Sequence, residues 1–363
     1  MATFELAQMQ ARQGYLHQAD QSYQQALELG AERGGRLAAT GPAYVGRGEL
    51  QREWNHLDTA AHYLQEGIAQ CQQTGNASIM LMGHITLARV KQAQGDAAGA
   101  DMLIQKIPQI LRSSRLSPLN AAQFTAWHAR LALAQGDLAL AARWVQERQL
   151  RMDDELSPPR DIEYLTLARV LITQHRPDEA LPLLARLLHL AERDGRMGNA
   201  LEILVLQAVA QQARGDEAGA MERLSRALSL AEPEGYIRLF VDEGAPMARL
   251  LVQMRTRRGS DQPASTGYRE QLLALLGRAS DEGVLHPAVA VPGSGVYPFS
   301  EPLSERELEV LRLIVAGCSN REIADRLVIA VSTVKWYVNA IYSKLQVESR
   351  TKAIALAREL NIV

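Results

Sequence analysis

Apolar residues in this chain recur three and four apart through most of its length, the spacing of helices that bury one face. The pattern also repeats on a longer scale. The segments GYLHQA (from Gly14), NHLDTA (Asn55), GDAAGA (Gly95), GDLALA (Gly136), HRPDEA (His175) and GDEAGA (Gly215) start about 40 residues apart. Five residues after each start stands an alanine: Ala19, Ala60, Ala100, Ala141, Ala180 and Ala220. Four positions further on come Tyr23, Leu64, Ile104, Val145, Leu184 and Leu224, and seven residues before each start another small residue: Ala7, Gly48, Ala88, Ala129, Ala168 and Ala208. Small residues let helices approach closely. Each unit therefore reads as helix, tight turn, helix, and six stacked units predict an all-α solenoid over residues 1–242.

The spacing of small and apolar residues resembles tetratricopeptide repeats lengthened from their usual ~34 residues. It stops at AEPEGYIRLFVDEGAPMARLL, residues 231–251. A helical section that includes YREQLLALLGRA (268–279) follows, and then HPAVAVPGSGVYPFSEP (286–302), whose Pro, Gly and Ser density reads as a linker. The expected division is a repeat domain at 1–242, a helical extension and linker at 243–302, and a terminal domain at 303–363.

Two capping boxes open the terminal domain. SERE from Ser304 and SNRE from Ser319 start helices over about 304–316 and 320–327. STVKWYVNAIYSKL (332–345) is a third helix, and Ser349 caps a fourth. Leu308, Leu311, Ile314, Ile323, Ala324, Leu327, Val334, Val338, Ile341 and Leu345 supply one core. The second and third helices form a helix-turn-helix. The third leaves Ser332, Lys335, Trp336 and Asn339 outside that core, an odd set to give to water.

LSERELEVLRLIVAG, SNREIADRL, STVKWYVNAIYSKL and SRTKAIA together resemble the DNA-binding domain of LuxR-type transcriptional regulators, across essentially all of 303–357. The resemblance implies a four-helix domain whose third helix enters the major groove, bound as a homodimer joined through its fourth helix. It implies base-edge contacts for Lys335, Trp336 and Asn339, and phosphate contacts for Ser332, Thr333, Lys344 and Arg321. The chemistry agrees: lysine reaches guanine acceptors, asparagine pairs with adenine, a ring meets a thymine methyl, and a helix N-terminus favours phosphate. Family members often carry His, Gly and a serine cap where Tyr337, Gln346 and Ala330 stand here, so Ser332 is a second candidate for the helix cap.

AEPEGYIRLFVDEG and the preceding repeats further resemble the C-terminal half of MalT-like regulators, in which an ATP-binding module precedes the helical region that receives an inducer. No G-x-x-x-x-G-K-[ST] occurs, nor any Gly-Lys pair. A stand-alone form and a fragment of a larger ATP-dependent regulator are the two alternatives. LARV, HARL and LARV put Arg89, Arg130 and Arg169 at one place in three successive first helices, a candidate ladder for an acidic peptide or anionic metabolite. Pairing of each with a neighbouring acid is the structural alternative. Tyr44, Trp127 and Tyr164 are further groove candidates.

Composition narrows the partners. Lys plus Arg (39) and Asp plus Glu (41) nearly cancel to −2, so any basic patch is local, as in the +2 balance from residue 303 onward. The two cysteines, Cys71 and Cys318, predict neither a disulfide framework nor a cysteine metal site, and no leader pattern or long apolar run appears. A cytoplasmic protein without membrane contact is expected. Scattered histidines and the absence of HExxH or GxSxG argue against an enzyme, and no cofactor or metal is expected. The reading is a DNA-binding transcriptional regulator whose repeats meet an effector or protein partner, with the transcription machinery as a further partner. The alternative is a protein-interaction scaffold.

Overall fold

The structure is a computed structural model that describes residues 2–32, 40–114, 116–256, 263–281, 305–316 and 318–327, together with Val334, Val338, Ile341, Val347, Arg350 and Lys352. Every regular element among the described residues is a helix. The chain divides into two compact units, Met1–Ala290 and Val291–Val363.

Six helix pairs build most of the first unit: α1 (Ala2–Arg12) with α2 (Leu16–Glu32), α3 (Thr40–Glu53) with α4 (Leu57–Thr74), α5 (Ala77–Ala93) with α6 (Ala97–Ser113), α7 (Pro118–Ala134) with α8 (Leu138–Arg148), α9 (Asp161–Thr173) with α10 (Pro177–Arg193), and α11 (Met197–Arg214) with α12 (Glu217–Ala231). The all-α solenoid of six pairs is thus as the sequence predicts. A one-turn helix α13 (Arg238–Val241) and the pair α14 (Ala245–Thr256) and α15 (Pro263–Asp281) follow and pack on the sixth pair. The stretch from Tyr268 to Ala279 lies inside α15, whereas the linker at 286–302 lies outside the described residues.

One turn chemistry recurs six times. Gly14, Asn55, Gly95, Gly136, His175 and Gly215 all adopt positive φ, the left-handed conformation that ends a helix and reverses the chain. After each of them the next amide donates back to a carbonyl in the last turn of the first helix, as in Tyr15 to Gln10 (2.9 Å) and Asp216 to Gln211 (2.9 Å). Where the turn reads Gly-Asp, the aspartate then caps the second helix: Asp96, Asp137 and Asp216 accept from the amides of Gly99, Leu140 and Gly219. Two adjacent residues so terminate one helix and start the next.

The small residues sit where the helices touch. All six alanines of the second helices, Ala19 through Ala220, have no exposed surface. Val145 departs from its row, being only partly buried, because α8 ends at Arg148 after 11 residues while the other second helices run 15 to 18. At Gly67 of α4 an added Cβ would lie 2.8 Å from Val45 Cγ2 and 2.9 Å from the Val45 amide nitrogen, so α3 crosses against bare backbone.

The repeat array also comes back on itself. The Gly14 turn lies against Met197 and Gly198 at the start of α11, and α1 packs on α11. Buried side chains of the first repeat belong to the same apolar cluster as most of those of the last three, whereas most of those of the second and third repeats fall in two smaller clusters.

Gly67→Ala tests the close crossing. Alanine favours a helix by about 1 kcal/mol over glycine, but overpacking against backbone costs about 1–3 kcal/mol. The urea midpoint is expected to fall; an unchanged or higher midpoint would mean that α3 retreats freely.

Candidate nucleic-acid interface and inner arginine network

In the second unit, α16 (Glu305–Val315) packs on α17 (Asn320–Leu327). The predicted capping box at 319–322 is present in both directions: the Glu322 amide donates to Ser319 Oγ (3.4 Å), and the Ser319 amide donates to the Glu322 carboxylate (2.6 Å). These bonds hold the Glu322 carboxyl below its ordinary range. Arg350 donates to the Cys318 carbonyl and, at 3.4 Å, to Asn320 Oδ1, which ties the far end of the domain to the α16–α17 turn. The box at Ser304 lies outside the described residues.

Val334, Val338 and Ile341 are helical and buried, in one cluster with Val310, Leu311, Ile314, Cys318, Ile323 and Ala324. These three positions therefore face inward at the spacing read from sequence. Arg321 on α17 is exposed. Ser332, Thr333, Lys335, Trp336, Asn339 and Lys344 lie outside the described residues, as does Leu345, and the Leu308 side chain is likewise undescribed.

In the first unit, Arg89, Arg130 and Arg169 do share one surface, and acids meet them there. Glu202 of α11 contacts Arg130 at 2.6 Å and Arg169 at 3.0 Å, and Arg169 reaches Glu243 at 2.7 Å. Asp242 pairs with Arg52 of α3 and Arg238 of α13, and lies 3.9 Å from Arg89. Side chains from five of the six first helices thus join one network on the inner face of the array, and those of α3, α5 and α9 reach Asp242 or Glu243 directly.

The aromatic candidates divide. The guanidinium carbons of Arg89 and Arg130 lie 4.9 and 4.8 Å from the Trp127 ring centroid, within cation–π range. Tyr44 is half-buried beside Tyr63, whose ring carries Arg47 at 4.8 Å. Tyr164 is fully buried and donates to Asp154, so it belongs to the core.

Burial and charge pull these groups in opposite directions. Burial lowers Arg89, as do Arg52 and Arg130 beside it. Burial also acts on Arg169, but Glu243 and Glu202 outweigh it and hold that guanidinium above its usual value. Glu202 is buried too, yet Arg130 and Arg169 bring its carboxyl down to about 2. Asp242 is depressed in the same way by Arg238, Arg52 and Arg89. Glu49 is the exception: burial raises it to about 7 against the pull of Arg89, the Thr86 hydroxyl and Arg52. Sequence reasoning found the arginines but missed Glu202, Asp242, Glu243, Arg52 and Arg238. Of these, Asp242, Glu243 and Arg238 stand inside the segment AEPEGYIRLFVDEG, where the repeat pattern breaks, the one signal that could have pointed to them.

Comparison with known proteins agrees with this architecture. The family model for the MalT-like TPR region matches residues 1–257, and that for bacterial regulatory proteins of the luxR family matches residues 301–357. The chain belongs to the MalT-like family. Among its relatives is the HTH-type transcriptional regulator MalT of Vibrio campbellii, 26% identical over 323 residues that make up 85% of this chain and 34% of the relative. The MalT proteins of Serratia proteamaculans and Yersinia enterocolitica are 27% and 28% identical over 335 residues, 86% of this chain and 35% of each relative. The chain thus spans about a third of the length of the curated relatives it matches. In this MalT-like chain the arginine network lies wholly inside the first matched region, and α16 and α17 lie inside the second.

Two substitutions in the network are expected to respond to pH with opposite sign. Glu202 has a depressed pKa, so its contribution is present above about pH 5 and fades as pH falls toward 2. Glu202→Gln leaves two buried cations short of a partner and is expected to cost about 3–5 kcal/mol at pH 7, less as acid is added. Glu49 has a raised pKa, so its ionised form burdens the fold as pH rises through 7. Glu49→Gln is expected to raise Tm at pH 8 and to leave it nearly unchanged at pH 5. Thermal unfolding across that range checks both, and parallel pH profiles would contradict the assignment.

Proposed function

We propose that this chain is a sequence-specific DNA-binding transcriptional regulator, its second unit reading double-stranded DNA and its repeats receiving an effector or protein partner. The observation that carries the reading is the burial of Val334, Val338 and Ile341 in the core of a luxR-family domain. With that side inward, helical spacing directs positions 332, 336 and 339 the opposite way. Lys335, Trp336 and Asn339 then take base edges in the major groove, while Ser332, Thr333, Lys344 and Arg321 take phosphates. The exposure of Arg321 and the firm cap on α17 fit such a role.

The domain acts as a homodimer on paired half-sites, since one domain with so small a positive balance binds DNA modestly. The relatives' shared description as transcriptional regulators supports a regulatory rather than an enzymatic role, working with the transcription machinery in the cytoplasm. Among the described residues no helix is long and apolar enough to cross a membrane, and no group of three or more His, Cys, Asp or Glu is placed to hold a metal.

On the inner face, Arg89 is the rung most open to an acidic effector. It is 24% exposed against 14% for Arg130 and Arg169, and its acid in the network stands off at 3.9 Å. Arg130 and Arg169 take part only where the ligand replaces carboxylates already there.

Footprinting and gel-shift titration with genomic fragments test the reading. A protected site is expected, weakened by about 1–3 kcal/mol per lost base contact in Lys335→Ala and in Asn339→Ala. Equal affinity for every duplex, untouched by either change, would leave the scaffold alternative standing.

A further inference from the structure

The segment that follows the sixth repeat does more than end the array. It runs back to the opening repeats and is stitched to them by backbone. The Ile237 amide donates to the Glu53 carbonyl (3.0 Å) and the Leu239 amide to the Glu53 carboxylate (2.7 Å). The Trp54 indole donates to the Glu234 carbonyl (2.9 Å), and the Glu234 carboxylate accepts from the His17 amide (3.1 Å). The His17 ring, from the first repeat, stacks on Trp54 with centroids 5.2 Å apart.

At its other end the same segment offers two acids to the inner face. Asp242 meets arginines of α3 and α5, and Glu243 meets Arg169 of α9. These pairs are mostly shielded from water, where a charge that loses its partner is costly and the acids and arginines hold or release together. Nothing in this geometry depends on how DNA is read or on which effector is received.

We propose that residues 232–243 are a strap that fastens the sixth repeat to the first two, with the inner arginines as its clasp. The clasp acts at a distance: Arg169 touches Glu243 and Glu202 but none of the stitched residues 234–239. Loosening it at α9 therefore loosens the stitching at α3. α14 begins at Ala245, directly behind the strap, so its release changes what holds the helices that follow. Such a device gives the repeat array two discrete arrangements, closed and unfastened, that a ligand on the inner face can bias.

Native-state hydrogen exchange on the full chain tests this. In Arg169→Gln and in Glu243→Gln, exchange at the Ile237 and Leu239 amides is expected to rise at least tenfold over the parent chain, while the α5 amides of Leu87 to Val90 keep parent rates. Trp54→Phe, which removes one stitch without touching the clasp, is expected to raise the same two amides and leave Arg169 and its neighbours unchanged. Should Ile237 and Leu239 stay at parent rates in both clasp variants, or rise only in step with the α5 amides, the strap is overturned.

Discussion

The inner face depends on one exchange of charge: arginines projecting from successive helices are neutralised by carboxylates that arrive from the far end of the array. Buried guanidiniums need partners, because an unpaired charge away from water is far costlier than a pair is favourable. Repeat proteins normally satisfy each unit from its neighbours. Here Arg52 on α3, in the second repeat, finds Asp242 beyond the sixth, while Arg169 on α9 takes Glu202 and Glu243 from the repeat and segment next to it. The network therefore stabilises a closed arrangement of repeats, beyond stabilising each repeat.

That arrangement is possible because the local code is so regular. Six left-handed turn residues and a row of fully buried alanines build the six pairs on one plan, and at the end of the array α11 meets α1. Where the code lapses, the structure shows it: α8 stops early, and Val145 is left only partly covered. Gly48 and Gly67 set how near α3 and α4 come within one pair, whereas other residues touch across the closure.

This division explains what was legible in the sequence. The repeats, their turns and their small residues follow from local spacing, and so does the inward placement of Val334, Val338 and Ile341 in the second unit. The arginine ladder was visible as LARV, HARL and LARV because repetition aligned it. Its acids were not, because Glu202, Asp242 and Glu243 occupy no common repeat position, and Asp242 reaches Arg52 only through the closure. Tyr164, a groove candidate by residue type with the core as its alternative, takes the core position, its hydroxyl donating to Asp154. Val310 joins the second unit's core although the sequence reading passed over it.

In the function proposed above, the closure links the two tasks assigned to the repeats, receiving a ligand and reporting it along the chain. The same arginines that face the interior hold residues 242 and 243, so occupancy of one and release of the other draw on a shared interaction. The most direct measurement is a double-mutant cycle on Arg52 and Asp242, with stability read by urea unfolding of the single alanine variants and the pair. A coupling energy above about 1.5 kcal/mol is expected for a closed array; additivity to within about 0.5 kcal/mol would contradict it.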